Sequence, residues 1–353
     1  MKTHPSIALL ALLMQGLTAP PVIAQAAAAQ SAGRTLASPL APSEIVAAAP
    51  AGDWKPIAAA DLLVMTLAPN AQGRARRVVI QLIPPPFSQG WVGNIRKLAA
   101  AHWWDGLSVN RVQDNYVAQW GDADGDDKAK ARALPGGLAV VPESEYNTLV
   151  RYEVLKSPQG TAHFLWPKPW PASEGLHDAY AESNSFWHGW SFAGSHDRAA
   201  EQSYPDLPKD RVNLMWPIHC YGMVGVGRNL SPDTGSGAEL YTVIGHAPRH
   251  LDRNIALVGR VIEGIEHLSS LPRGTEALGF YKTAAERTPI VSIRLGNEVV
   301  GLPRYEYLST ESGSFATYAD ARANRRDAFF IRPAGGADVC NIPVPVRRIK
   351  VGG

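Results

Sequence analysis

One run of the sequence brings together side chains that could act on a polar, planar group. Arg111 stands at the end of a predicted strand, and Tyr116 and Gln119 follow in the next one. A guanidinium that is held in place donates hydrogen bonds in a planar geometry, so it can stabilise charge on a nitrogen or a carbonyl oxygen. Taken singly, the arginine is typical of a surface ion pair, the tyrosine of core packing and the glutamine of an edge strand. The case for chemistry therefore depends on the surrounding pattern.

The elements around these residues predict an antiparallel β structure. Strands are predicted over Leu62 to Leu67 and Arg77 to Leu82, and a helix over Trp91 to His102, before the two strands just described. Short links between neighbouring strands favour an antiparallel sheet over a parallel α/β sheet. Because side chains alternate along a strand, Tyr116 and Gln119 can share one site only if their strand bulges or ends there.

The second half of the chain predicts further strands, an insertion and a tail. Residues 123–218 interrupt the strand pattern and hold five of the ten tryptophans, which predicts an ordered insertion packed on the core. Residues 276–353 predict a small α/β extension. The later elements are strands at Met223 to Val226, Leu240 to Ile244, Ile255 to Val261, Ile290 to Leu295 and Ala328 to Ile331, and helices at Glu263 to Leu271 and from Phe315.

The N-terminus has the pattern of an export signal. The apolar stretch from Ile7 to Leu17 is too short to span a bilayer, and Ala24-Gln25-Ala26 offers small residues at alternate positions for a signal peptidase. We expect cleavage after Ala26, a periplasmic location and no membrane insertion afterwards; the alternative is a buried N-terminal helix. Residues 27–52, rich in Ala, Pro and Ser, predict a mobile leader.

Composition narrows the classes of partner. The chain has 353 residues, 45% of them hydrophobic, and a formal net charge of +2, so a packed core is expected and a nucleic-acid partner is not. Cys220 and Cys340 are the two cysteines. Their even number permits one disulfide in an oxidising compartment, although sequence alone does not show that the sulfurs meet. Their spacing matches no zinc site, so no metal is expected.

Three separated blocks, in the same order, resemble the cyclophilin-type peptidyl-prolyl cis-trans isomerases. They cover about residues 60–122 and 221–272. The blocks are Asn94-Ile95 followed by Leu98; Trp104-Asp105-Gly106, Asn110-Arg111-Val112, Tyr116, Gln119 and Gly121-Asp122; and Leu251-Asp252-Arg253-Asn254 followed by Val258-Gly259-Arg260-Val261-Ile262-Glu263-Gly264. Any one block alone would be a weak signal, whereas three in order are a strong one.

The resemblance implies a mainly β fold. Its centre would be a closed eight-stranded antiparallel barrel capped by two helices, which leaves no exposed sheet edge. We expect residues 53–275 to form this cyclophilin-like domain. The 123–218 insertion and the 276–353 extension would decorate it.

The resemblance also implies an activity in which Arg111 is the catalytic residue. Rotation about a peptide C–N bond has a barrier of roughly 18–20 kcal/mol because resonance is lost in the twisted amide. A fixed guanidinium would stabilise that twisted state without forming a covalent bond. The substrates would be X-Pro bonds of exported or folding polypeptides. No cofactor is expected, because only a torsion angle changes, and the protein is expected to be a monomer.

Six residues correspond to substrate-binding positions of the family, with several departures. Tyr116 and Gln119 match the family pattern, whereas the segment around residues 235–241 does not. The predicted substrate-binding residues are Tyr116, Gln119, Glu239, Leu240, Tyr241 and His250. The departures leave two alternatives open: a binding module or chaperone with little turnover, and a protein whose insertion and tail dock on envelope proteins.

Overall fold

The computed structural model describes residues 39–149, 178–203 and 214–350, and these ranges hold fifteen strands and five α-helices. The strands are β1 (Trp54–Ile57), β2 (Leu62–Leu67), β3 (Arg76–Leu82), β4 (Ser108–Val112), β5 (Val117–Gly121), β6 (Thr148–Leu149), β7 (Ser183–Trp187), β8 (Trp190–Ser195), β9 (Leu214–Pro217), β10 (Met223–Val226), β11 (Leu240–Val243), β12 (Leu257–Glu263), β13 (Thr288–Leu295), β14 (Tyr305–Leu308) and β15 (Val346–Arg348). The helices are α1 (Pro42–Ala48), α2 (Gln89–Ala100), α3 (Arg198–Ser203), α4 (Glu266–Ser269) and α5 (Gly313–Ala323).

Eight antiparallel strands close into a barrel in the order β10-β11-β5-β4-β13-β2-β3-β12. Strands β2 and β3 carry apolar side chains on both faces, because each face is covered by other parts of the protein. Met65 and Ile80 belong to the main core inside the barrel, whereas Leu62 and Val79 pack outside it against Tyr305 of β14. The predicted mainly β fold with a closed eight-stranded barrel is confirmed.

Strand β13 changes the predicted domain boundary. It lies between β2 and β4, with Ile293 opposite Met65 and Thr288 opposite Val109. The predicted extension from residue 276 would remove this strand and leave two barrel edges unpaired. That boundary is wrong, because the barrel is completed by a strand that follows a long connection after α4.

Two helices differ in how well the sequence pattern placed them. Helix α2 overlaps the prediction and buries Trp91, Ile95 and Leu98 against the barrel. Helix α4 is a single turn, shorter than predicted, because β12 runs on to Glu263 and Gly264 turns the chain at a φ of 84°. Within the described ranges, no helix combines the length and the hydropathy needed to cross a bilayer.

The insertion contributes a four-stranded sheet in the order β6-β9-β8-β7. Trp190 and Phe192 of β8 and Trp216 of β9 are fully buried in the same core cluster as the barrel residues. The tryptophans of this segment are therefore packing residues where they are described. Trp166 and Trp170 lie outside the described residues.

The two ends of the described part of the chain form a second layer together. Strands β1, β14 and β15 make a three-stranded sheet, and Ile45 of α1 is buried with Leu308 of β14 and Phe315 of α5. The prediction of a mobile leader over residues 27–52 is therefore wrong for residues 42–49, since Ile45 and Ala49 are buried against an apolar surface. The predicted signal segment and residues 27–38 lie outside the described residues.

Near the C-terminus, one predicted strand is absent and one disulfide is present. Residues 328–331 form turns and bends, and Phe329 and Ile331 are exposed. Cys220 and Cys340 are joined across a separation of 120 residues. Closing so long a loop stabilises the folded state by about 4–5 kcal/mol in the chain-entropy estimate. The disulfide ties the connection between β9 and β10 to the segment between α5 and β15.

Candidate active site

Arg111 and Gln119 lie opposite each other on β4 and β5. The Arg111 Nη1 group donates to Gln119 Oε1 at 3.0 Å. A register shift between Val109 and Arg111 produces this pairing, and Tyr116 precedes the first residue of β5. Tyr116 lies before β5 begins, so the alternation of side chains along the strand does not apply to it. Tyr116 and Gln119 can therefore face the same site.

The rest of the Arg111 guanidinium is held by its neighbours. Its Nε donates to the Leu278 carbonyl oxygen at 2.7 Å, and its Nη2 donates to Gln113 Oε1. The Cζ atom lies 5.8 Å from the ring centre of Tyr116 and 5.2 Å from that of Phe280, within the range of cation–π attraction. Partial burial lowers the pKa of Arg111, and the interactions with Tyr116 and Tyr241 oppose this shift.

An apolar cluster lies beside this guanidinium. Val117, Tyr241 and Val243 are buried in it, and Tyr116 packs against them. The Tyr116 ring is nearly parallel to that of exposed His250, with centres 6.4 Å apart. The structure thus brings together Arg111, Gln119 and three of the predicted substrate-binding side chains.

Leu240 is the predicted site residue that the structure places elsewhere. It is 1% exposed and belongs to the cluster inside the barrel, whereas its neighbour Tyr241 faces the outer cluster. Strand alternation allows only one of two successive side chains to face the site. The assignment of Leu240 to substrate binding is therefore wrong, whereas Tyr241 lies on the face that the site requires.

Glu239 extends the polar side of the site. Gln119 Nε2 donates to Glu239 Oε2 at 3.2 Å, so Gln119 bridges the glutamate and Arg111. Burial raises the pKa of Glu239 to about 7, with further increases from the charges of Asp122 and Asp126, while the hydrogen bond from Gln119 opposes them. Glu239 therefore changes its charge near neutral pH.

A buried network fixes the Tyr241 ring from behind. The Tyr241 hydroxyl lies 3.0 Å from His219 Nε2, and His219 Nδ1 lies 2.9 Å from Asp252 Oδ1. Arg249 donates from Nε to Asp252 Oδ2 at 2.7 Å and from Nη2 to Asp178 Oδ2 at 2.8 Å. The apolar cluster is thereby connected to the insertion, where Asp178 precedes β7.

The pKa values in this network follow from burial and charge. Burial alone would raise the pKa of Asp252, but the hydrogen bond and charge of His219 and the charge of Arg249 together lower it. Burial raises the pKa of Tyr241 well above its ordinary value. The network therefore contains an ionised carboxylate and a neutral tyrosine at physiological pH.

The sequence profile of the family described as "Cyclophilin type peptidyl-prolyl cis-trans isomerase/CLD" matches residues 77–294, more than half of the chain. The chain belongs to this family. It is a peptidyl-prolyl cis-trans isomerase, as the sequence motifs predicted. No curated protein matches its sequence.

A solved cyclophilin structure has a similar fold. The cyclophilin AquaCyp293 from Hirschia baltica is 18% identical, with 84% of this chain and 95% of that chain covered and a TM-score of 0.58. A Cryptosporidium parvum cyclophilin-type isomerase crystallised with the dipeptide Ala-Pro is 12% identical. The comparison covers 66% of this chain and 98% of that chain at a TM-score of 0.32.

Several residues of this cyclophilin site were not found from the sequence. Gln113 lies inside the recognised Arg111 run, and Asp252 lies inside the third block, so their positions offered a local signal. His219, Asp178 and Phe280 lie outside all three blocks. Only the folded chain brings them to the site.

Proposed function

We propose that this cyclophilin isomerises X-Pro bonds of exported polypeptides, with Arg111 stabilising the twisted prolyl amide. The observation that carries the proposal is the position of its guanidinium, which lies between Gln119 and the apolar cluster formed around Tyr116 and Tyr241. A prolyl ring seated on that cluster would place its amide beside the charged group.

The hydrogen-bond inventory of Arg111 supports this role. A guanidinium has five N–H groups in a fixed plane. Leu278, Gln119 and Gln113 each engage one of them among the described residues. The two others, one on each terminal nitrogen, are available for a prolyl nitrogen and a neighbouring carbonyl oxygen.

A positioned guanidinium can supply a substantial part of the barrier reduction that isomerisation requires. In the twisted state the prolyl nitrogen regains its lone pair, so it accepts a hydrogen bond more strongly than in the planar amide. Lowering the barrier by about 7 kcal/mol gives roughly 10⁵-fold acceleration. One preorganised charged donor typically supplies about 3–4 kcal/mol of this, and seating the ring supplies more.

The proposed cellular setting comes from the N-terminal sequence. The apolar stretch from Ile7 to Leu17 and the small residues before the expected cleavage after Ala26 support export to the periplasm. Unfolded exported chains expose X-Pro bonds that exchange in tens to hundreds of seconds without a catalyst. Such chains are the proposed substrates, bound by the protein as a monomer without a cofactor.

A protease-coupled assay on an Ala-Pro peptide tests the proposal. Arg111→Ala is expected to lower kcat/KM by about 10²–10³-fold, with an unchanged circular dichroism spectrum. Arg111→Lys keeps the charge but loses the planar set of donors, so it should recover only a small part of the activity. Wild-type protein that binds proline peptides without accelerating their isomerisation would support a binding module and overturn the proposed mechanism.

A further inference from the structure

The segment of residues 272–281 runs along β4 and reaches Arg111. Gly274 N donates to the Val112 carbonyl oxygen at 2.9 Å, and Tyr281 N donates to the Asn110 carbonyl oxygen at 3.1 Å. Between these two contacts, Phe280 forms an antiparallel bridge with Arg111. The segment is therefore fixed by its backbone to the strand that carries the guanidinium.

This segment and β5 contact opposite edges of β4. Arg111 pairs with Gln119 of β5 on one edge and with Phe280 on the other. A strand residue has one neighbouring residue on each side. Arg111 therefore lies between Gln119 and Phe280. Phe280 thus extends the site away from the apolar cluster that holds Tyr116.

The side chains at this outer edge are large, apolar and accessible. Leu278 is 65% exposed and Phe280 is 38% exposed. Leu278 also has a φ of 59°, a left-handed conformation that is unfavourable for a branched side chain, while its carbonyl oxygen accepts from Arg111 Nε. Unfavourable backbone conformations that persist tend to cluster at functional sites.

Close packing of glycines keeps the segment in place. A side chain at Gly279 would meet Val112 and Gln113 backbone atoms at less than 3 Å, and Gly279 itself has a φ of 81°. The loop therefore lies directly on the β4 backbone. Its exposed apolar side chains are presented on a fixed support.

We propose that Leu278 and Phe280 form a subsite for a large apolar or aromatic side chain on the substrate residue next to the isomerised proline. The inference rests on the proposed function of Arg111, since it locates the prolyl amide at the guanidinium. Successive Cα atoms are about 3.8 Å apart, so a neighbouring side chain can reach a ring centred 5.2 Å from Arg111 Cζ. An aromatic side chain would stack on Phe280 and be shielded from water.

The test measures kcat/KM on two series of proline peptides. In one series the residue before proline is Ala, Leu or Phe, and in the other the residue after proline is varied in the same way. The wild-type protein should prefer Phe over Ala by about tenfold in one of the two series, mainly through KM. Phe280→Ala should reduce that ratio to about twofold or less.

Two further variants separate recognition from general damage. Phe280→Leu keeps an apolar surface and should retain at least a third of the wild-type preference. Phe329→Ala, which removes a more exposed phenylalanine in the C-terminal extension, should leave both the ratio and the activity unchanged. Thermal unfolding of each variant checks that the fold is intact.

The outcomes distinguish the subsite from the proposed function. No acceleration of any peptide by the wild-type protein overturns the isomerisation mechanism and the subsite together. Acceleration with a Phe-to-Ala ratio below about two in both series overturns the subsite alone. A strong preference that survives Phe280→Ala also overturns it.

Discussion

The two sides of the candidate site are built in different ways. The Arg111 side consists of Arg111, Tyr116 and Gln119, which come from one short stretch and remain partly exposed. The Tyr241 side consists of Tyr241, Glu239 and the buried residues His219 and Asp252. Changes on the Arg111 side should therefore reduce activity more than stability. Changes on the Tyr241 side should mainly alter stability and its dependence on pH.

The largest expected effect is on the Tyr241 side, at Asp252. Asp252→Ala leaves Asp178 as the one carboxylate beside the buried guanidinium of Arg249 among the described residues, and it removes the carboxylate that faces His219 Nδ1. Removing one member of a buried ion pair costs about 3–5 kcal/mol of unfolding free energy. Urea unfolding followed by fluorescence measures this loss.

A surface pair is the matched control for Asp252. Asp61→Ala removes the carboxylate that pairs with Arg96 at 2.8 Å, where both side chains are substantially exposed. Such pairs typically contribute less than about 1 kcal/mol. Similar losses for the two variants would show that the buried network does not stabilise the Tyr241 side in the way described.

The next largest effect is the pH dependence caused by Glu239. Its pKa is about 7 in the folded protein, raised by burial from 4.5. The folded state therefore holds a proton that the unfolded state releases between these pH values. This proton stabilises the folded state by on the order of 3 kcal/mol. The stabilisation is fully present below pH 4.5 and is lost as the pH rises through 7.

Glu239→Gln removes this titration and keeps the shape of the side chain. The difference in unfolding free energy between wild type and variant should shift by on the order of 3 kcal/mol from pH 4.5 to pH 8, in favour of the variant at high pH. Denaturant unfolding across this pH range measures it. A difference that stays constant with pH would contradict the raised pKa.

The contrast between the two sides also explains which parts were predictable from sequence. The Arg111 side is a local motif, so the order of residues already contains most of its geometry. Arg111, Tyr116 and Gln119 lie where the family pattern implies, and the strand start at Val117 resolves the alternation problem. The closed barrel was predictable through the family resemblance, because only the pairs β2-β3, β4-β5 and β10-β11 are hairpins of neighbouring strands.

The remaining features depend on contacts between distant parts of the chain. His219 and Asp252 meet across 33 positions and Arg249 and Asp178 across 71. No periodic pattern encodes such pairs. The same reason explains β13, whose barrel partners β2 and β4 lie far earlier in the sequence. Leu240 was misassigned because a register shift of one residue exchanges the two faces of a strand.

A smaller effect is expected on the Arg111 side, at Gln119. Gln119→Ala removes the acceptor for Arg111 Nη1 and the donor to Glu239, while Gln113 and Leu278 still hold the guanidinium. We expect kcat/KM to fall about tenfold, equivalent to about 1.4 kcal/mol. The proline-peptide assay measures it.

The stability of this variant is the second half of the test. Gln119 is half-buried, so the unfolding free energy should fall by less than about 1 kcal/mol. Gln72→Ala, in the exposed turn after β2, is the control for both measurements. A Gln119 variant that loses several kcal/mol of stability but keeps its activity would reverse the proposed division between the two sides.

The smallest effect on activity is expected for the Tyr241 hydroxyl. His219 Nδ1 faces the Asp252 carboxylate, and His219 Nε2 lies within hydrogen-bond distance of the Tyr241 hydroxyl. Tyr241→Phe leaves the buried Nε2 without this partner and should cost about 1–2 kcal/mol of stability. The ring remains, so kcat/KM should fall by no more than about threefold.

Tyr146→Phe is the matched control, since its buried hydroxyl has no hydrogen-bond partner among the described residues and its removal should cost nothing. Equal stabilities for the two variants would mean that the hydroxyl does not anchor the ring, and the Tyr241 side would then depend on packing alone.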